Sequence, residues 1–153
     1  TLDVGVNRLT SVHGSVWGHP ALRNLDLSSN NLSGSIPAGI NLPQLRTLNL
    51  SVSGLGGGIP VALYTGSPFL NALDLSENAF TGGINAAIGA LPLQELDLSD
   101  NAMGGPIPNE FINLQDTITD LALTSNGCFT ASPQVTAFIV QFDPDWADGC
   151  APG

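Results

Sequence analysis

The stretch "LRNLDLSSNNLSG" at residues 22–34 returns as "LNALDLSENAFTG" at 70–82 and "LQELDLSDNAMGG" at 93–105, with a looser copy, "LRTLNLSVSGLGG", at 45–57. Aligned on L-x-x-L-x-L-x-x-N-x-L, the chain holds six registers, anchored at Asn7, Asn30, Ser53, Asn78, Asn101 and Asn126 and spaced by 23, 23, 25, 23 and 25 residues. No other feature constrains the fold as much. A unit of this length cannot bury its own apolar face, so successive units must stack and share one continuous core.

Each copy states its local structure. In Leu25-Asp26-Leu27-Ser28 the alternation predicts a short strand, Leu inward, Asp and Ser outward. Asn30 stands where the chain leaves the strand, and a side-chain amide there can bond the backbone of adjacent turns. Asn7, Asn30, Asn78, Asn101 and Asn126 are therefore expected to form an internal polar ladder, weakened but not broken at Ser53. The period and template are those of leucine-rich repeats. The expected fold is an α/β repeat: a right-handed leucine-rich-repeat solenoid over residues 1–127, its first register incomplete, with a parallel β-sheet on the concave face.

A second signal follows each ladder position: "SGSIP" at 33–37, "GGGIP" at 56–60, "TGGIN" at 81–85 and "GGPIP" at 104–108. Gly permits tight bending and Pro withholds a donor, so each reads as a short edge strand. Irregular or single-turn helical segments then return the chain, with Ile40, Leu63, Ile88 and Ile112 as inward anchors. The L-x-G-x-I-P wording resembles the plant-type subclass of leucine-rich repeats, as in receptor-kinase ectodomains and polygalacturonase-inhibiting proteins. The first register departs from it, since "LTSVHGSVWGHPA" has no Ile-Pro element.

The two ends differ. "SPQVTAFIVQF" predicts a helix with Ser132 as N-cap, Pro133 in its first turn, and Val135, Phe138, Ile139 and Phe142 on one face. Residues 128–153 thus read as a C-terminal cap, similar to those of extracellular leucine-rich-repeat proteins. Cys128, at a Leu position of the template, would be closed by a disulfide to Cys150, worth roughly 3 kcal/mol in the chain-entropy account. At the other end Leu2 and Val4 lack a neighbour, so something is expected to cover them: further repeats, another domain or a second copy.

Charge narrows the partners. There are 13 acids, three Arg (Arg8, Arg23, Arg46) and no Lys, and 11 of the acids follow Arg46. Such a surface repels phosphate backbones and anionic lipid, which argues against nucleic acid and membrane-surface partners. No apolar run reaches the ~18 residues of a spanning helix, so direct membrane insertion by this segment is not expected. No nucleophile–base pair, zinc-protease motif or phosphate loop occurs, so neither catalytic residues nor a cofactor are expected. His13 and His19 flank Trp17 without a Cys or carboxylate nearby, a poor metal site. "DPDWADG" at 143–149 lacks calcium-loop spacing and reads as a helix stop.

Stacked strands bring outward positions into columns about 4.8 Å apart. One reads Asp3, Asp26, Asn49, Asp74, Asp97, Ala122, and its common wording need mark no ligand. More informative are positions where the repeats differ. Arg23 and Arg46 form a short basic column, and Asp74, Glu77, Glu95, Asp97 and Asp100 an acidic patch further along. Such a polarised concave face suits a partner of matching polarity. Two glycosylation sequons occur, at Asn31 and Asn49, the first at a strand exit and the second on the concave sheet. The resemblance implies a non-enzymatic extracellular or cell-surface module for recognition or adhesion, binding a protein, peptide or glycan through its concave or lateral face. The competing expectation is a structural subunit of a surface layer or filament, self-assembling through its N-terminal edge.

Overall fold

The computed structural model describes residues 1–148. In chain order its strands are β1 (Leu2–Asp3), β2 (Asn24–Asp26), β3 (Thr47–Asn49), β4 (Gly56–Gly58), β5 (Ala72–Asp74), β6 (Ala79–Gly82), β7 (Glu95–Asp97), β8 (Ala102–Met103), β9 (Gly105–Pro106), β10 (Asp120–Ala122) and β11 (Phe129–Thr130). One strand per repeat builds a parallel six-stranded sheet in the order β1-β2-β3-β5-β7-β10. Its register aligns Leu2, Leu25, Leu48, Leu73, Leu96 and Leu121 on one row, as the repeat spacing requires. Leu25, Leu48, Leu73 and Leu96 are each only 1% exposed.

The glycine-rich signals form a second layer of pairing. Strands β4, β6 and β8 make one small parallel sheet, and β9 and β11 another. The "SGSIP" copy stays out of it, contributing a single bond from the Gly56 amide to the Gly34 carbonyl. The chain returns through helix α1 (Val61–Thr65) and 3-10 turns at Gly14–Gly18, Ala86–Ala90 and Asn109–Asp116. Ile40, Leu63 and Ile88 anchor these returns inward as expected, but Ile112 does not: it is half-buried, and Phe111 takes the core position. Phe111 follows its Ile-Pro element at the same offset as Leu63 follows its own, so Phe111 and not Ile112 holds the anchor position of this repeat.

The ladder forms. Asn78 Nδ2 donates to the carbonyls of Leu50, Leu75 and Ser76, while its Oδ1 accepts the Leu55 amide. Asn30, Asn101 and Asn126 repeat this arrangement, each tying its own turn to the preceding repeat. Asn7 keeps only the local bonds to Val4 and Gly5. At the substituted rung Ser53 is fully buried, and its hydroxyl donates to the Leu50 carbonyl at 2.6 Å. The residue before each ladder position lies in the left-handed region: Val6, Ser29, Val52, Glu77, Asp100 and Ser125.

At the C-terminal end, helix α2 (Pro133–Ile139) buries Val135, Phe138 and Ile139 against the core. Phe142 was expected on that face but is 36% exposed, its ring edge-on to Phe138 at 5.7 Å. The Ser132 hydroxyl makes no capping bond; its carbonyl accepts the Thr136 amide. Cys128 is another difference. It turns outward, and Phe129 beside it fills the core. Cys150 lies outside the described residues.

The sheet's last edge is closed by a side chain. In every earlier repeat the amide of the second inward residue, Val4 in the first and Leu in the others, donates to the next repeat, as Leu98 does to Ala122. Among the described residues no further strand follows β10 in this sheet, and Leu123 donates instead to Asp143 Oδ2 at 2.6 Å. The same oxygen accepts the Thr124 amide at 2.9 Å. Asp143 is buried beside Trp146, so the "DPDW" turn works as the end plate of the sheet.

Candidate functional site

The Asp and Ser of "LDLS" are joined by two bonds in each full copy. Asp26 Oδ1 accepts the Ser28 hydroxyl at 2.6 Å and its amide at 2.9 Å. Asp74 with Ser76, Asp97 with Ser99, and Asn49 with Ser51 do the same. Each is a turn clamp that pins the strand exit, and the three Asp copies each keep one carboxylate oxygen uncommitted. Asn49 shows that the clamp needs the Oδ1 acceptor and not the charge. The last repeat has Ala122 at this position, and Asp143 supplies the missing acceptor to Thr124.

The clamps stand side by side because the register places Asn49, Asp74, Asp97 and Ala122 on adjacent strands. Two residues earlier the same strands carry Thr47, Ala72, Glu95 and Asp120. All of these except Ala122 line a shallow hollow of about 320 Å³ on the sheet's outer face, with Asp74, Glu95, Asp97 and Asp120 as its carboxylates. Asp120 escaped the sequence reading because its repeat reads "LAL", without the acid at the usual place.

The other candidates fall elsewhere. Glu77 and Asp100 sit past the strand ends at the left-handed positions, where their amides bond to Ser99 and Thr124 of the next repeat, and do not line the hollow. Arg23 and Arg46 are exposed neighbours in a column leading into the sheet, which Asn71, Gln94 and Thr119 continue. His13 and His19 each use Nδ1 to accept an amide two residues on, from Ser15 and Ala21, so both serve as local turn caps, while Trp17 is core.

Burial pushes the Asp97 carboxyl above its ordinary value. The hydroxyl and amide of Ser99 pull it back, and the charges of Asp74 and Asp120 raise it further. A carboxyl raised by folding contributes stability at acid pH that is lost as pH rises through its folded-state value. Asp97→Asn keeps the Oδ1 acceptor, as Asn49 does, and removes the charge. The variant is expected to be more stable than the parent at neutral pH by under about 1 kcal/mol, given the half-exposed site. The two should converge in acid, where Asp97 is protonated. Thermal melts across that pH range check it, and a less stable Asn variant at neutral pH would contradict the account.

Parallel one-strand repeats, a buried Asn ladder and a solvent-facing sheet define a leucine-rich-repeat solenoid. The sequence profile of the Leucine Rich Repeat family matches residues 21–42 and 92–114. The chain belongs to the plant-type leucine-rich-repeat proteins. It is similar to a chain of the BIR3–SERK2 complex from Arabidopsis thaliana, at 35% identity and a TM-score of 0.73, covering 87% of this chain and 70% of that one. It is also similar to the plant peptide hormone receptor RGFR1 in complex with RGF2, at 38% identity and a TM-score of 0.68, over 78% of this chain but 19% of the receptor. The ectodomain of the Arabidopsis receptor kinase HAESA, in complex with a peptide hormone, matches at 33% identity and a TM-score of 0.67, over 76% of this chain and 20% of that one. No curated protein sequence matches. No helix among the described residues is long and apolar enough to cross a membrane.

Proposed function

We propose that this chain is a non-enzymatic recognition module that works outside the cell and binds a positively charged peptide or protein segment on the outer face of its sheet. The observation that carries the reading is the hollow, where carboxylates on three neighbouring strands face solvent around Asp97. A cationic side chain entering it would meet several free carboxylate oxygens without displacing the Ser clamps. The net charge of −10 adds long-range attraction for such a partner. A glycan is less favoured, because the lining offers no aromatic ring for a sugar to stack on. The similar RGFR1 and HAESA structures are complexes with peptide ligands, and the BIR3–SERK2 structure is a protein complex, which supports a partner of this kind.

Cys128 and Cys150 belong to this reading as a disulfide closing the C-terminal cap, for which the outward side chain of Cys128 is available. Self-assembly through β1 is the competing reading. Leu2 and Val4 stay only partly buried there while Leu25 and Leu27 are 1% exposed.

A fluorescent oligo-arginine peptide is the probe for the first test. Its binding is expected to fall at least tenfold when Asp74, Glu95, Asp97 and Asp120 are neutralised as Asp74→Asn, Glu95→Gln, Asp97→Asn and Asp120→Asn, a loss of about 1.4 kcal/mol or more. A charge-matched control, Glu77→Gln, Asp100→Asn, Glu110→Gln and Asp116→Asn, should retain most of it. Equal loss in both would reduce the effect to net charge and remove the hollow from consideration. Light scattering on the same material reads the competing case, for which polymers rather than monomers are the signature.

A further inference from the structure

We infer that Asn31 is an N-glycosylation site, that Asn49 is not, and that the resulting glycan shields one flank of the solenoid while leaving the sheet hollow open. The inference rests on the extracellular reading above. Both residues begin an N-x-S sequon, Asn31-Leu32-Ser33 and Asn49-Leu50-Ser51. The fold treats them oppositely.

Asn31 is exposed, and so is Ser33. The Asn31 amide donates to the Leu9 carbonyl at 2.9 Å, while its side chain has no hydrogen-bond partner among the described residues. Along the stack, the residue after each ladder position is Arg8 on one side of Asn31 and Gly54, Ala79 and Ala102 in turn on the other, all exposed. On the side facing the later repeats this flank is therefore nearly bare of side chains beside Asn31, so a bulky saccharide can lie over it there, away from Arg8. Gly54 is also held small, since a Cβ there would lie 2.7 Å from the Leu32 carbonyl oxygen.

Asn49 is half-buried in β3, between Asp26 and Asp74 on the flanking strands. Its Oδ1 already accepts the hydroxyl and the amide of Ser51 at 2.7 and 3.0 Å. That clamp spans two residues and can form in the nascent chain, before the solenoid stacks, so it competes with the transferase for the sequon hydroxyl. A sugar on Asn49 would also stand in the hollow that Asn49 lines.

In the transfer at Asn31, the amide nitrogen Nδ2 attacks the anomeric carbon of a lipid-diphosphate-linked oligosaccharide. The N–C1 bond forms, the C1–O bond to the diphosphate breaks, the lipid diphosphate leaves and the amide loses one proton to the transferase. The leaving group takes the bonding electron pair, and no oxidant or reductant is required.

The test is secretion of the full chain behind a signal peptide in plant or insect cells, followed by intact mass and site mapping after peptide-N-glycosidase, which leaves Asp where a glycosylated Asn stood. The expected result is one glycan, mapped to Asn31, lost in Asn31→Gln and kept in Asn49→Gln. A glycan on Asn49, or an unmodified Asn31 in secreted protein, overturns the inference. Oligo-arginine binding measured on bacterially produced protein tests the recognition reading separately, because that material carries no glycan.

Discussion

Replacing Asp143 by Ala is expected to lower the Tm by about 10 °C, corresponding to about 3 kcal/mol for a domain of this size. One oxygen of this side chain does two jobs that the repeats otherwise share between neighbours. It stands in for the carbonyl of a seventh strand, accepting the Leu123 amide, and for the missing Asp of the last "LDLS" clamp, accepting the Thr124 amide. Removing it strands two donors at a buried edge, each costing about 1–3 kcal/mol with charge-assisted bonds at the upper end. Asp143→Asn retains an acceptor oxygen of the same shape and should recover much of the loss. Hydrogen exchange makes the test specific: in the Ala variant the amides of Leu123 and Thr124 should exchange much faster than those of Leu48 and Leu73. An unchanged Tm with unchanged protection at Leu123 would show that the end plate holds through Trp146 and α2 packing alone.

That role could not be seen in the sequence, where Asp143 looks like part of a helix stop. Its two partners lie 20 and 19 positions upstream, and nothing in the wording of either segment links them. The sheet order was legible because a repeat period fixes register by itself: once Leu25, Leu48, Leu73 and Leu96 must share a row, the outward rows follow. The Asn ladder was legible for the same reason. Where a repeat departs from its template, periodicity misleads. Cys128 occupies a template Leu position, yet the larger and more apolar Phe129 wins the core place and turns the thiol outward. Phe111 likewise displaces Ile112. The candidate site was half legible. Asp74, Glu95 and Asp97 follow from strand positions, but Glu77 and Asp100 sit where the backbone turns left-handed, so their side chains leave the sheet. Asp120 joins the hollow through strand pairing alone, two residues before the place where the other repeats carry their acid.

Gly89→Ala is expected to be among the most damaging single substitutions in the chain, although its backbone is not in a region reserved for glycine. The reason is proximity. The 3-10 turn at Ala86–Ala90 lies against the next return segment, Asn109–Asp116. A Cβ on Gly89 would collide with the Glu110 carbonyl oxygen and fall 2.8 Å from its carbonyl carbon. Backbone cannot swing aside as a flexible side chain can, so two rungs must part. The equivalent places after the inward anchors hold Tyr64 and Ile112 in the flanking repeats, and Gly89 is the residue that lets their segments close over this shorter 23-residue unit. Separating the rungs would loosen Ile88 and Phe111, both fully buried, so overpacking carries a cost of about 2–3 kcal/mol. Gly39→Ala is the internal comparison. It lies in the matching return of an earlier repeat, and a Cβ there meets nothing within 4 Å, so it should be near neutral. Urea melts of the two variants decide the matter. If both lose the same stability, the penalty belongs to glycine replacement in return segments generally, and the close approach of Gly89 to Glu110 does not govern the spacing of these rungs.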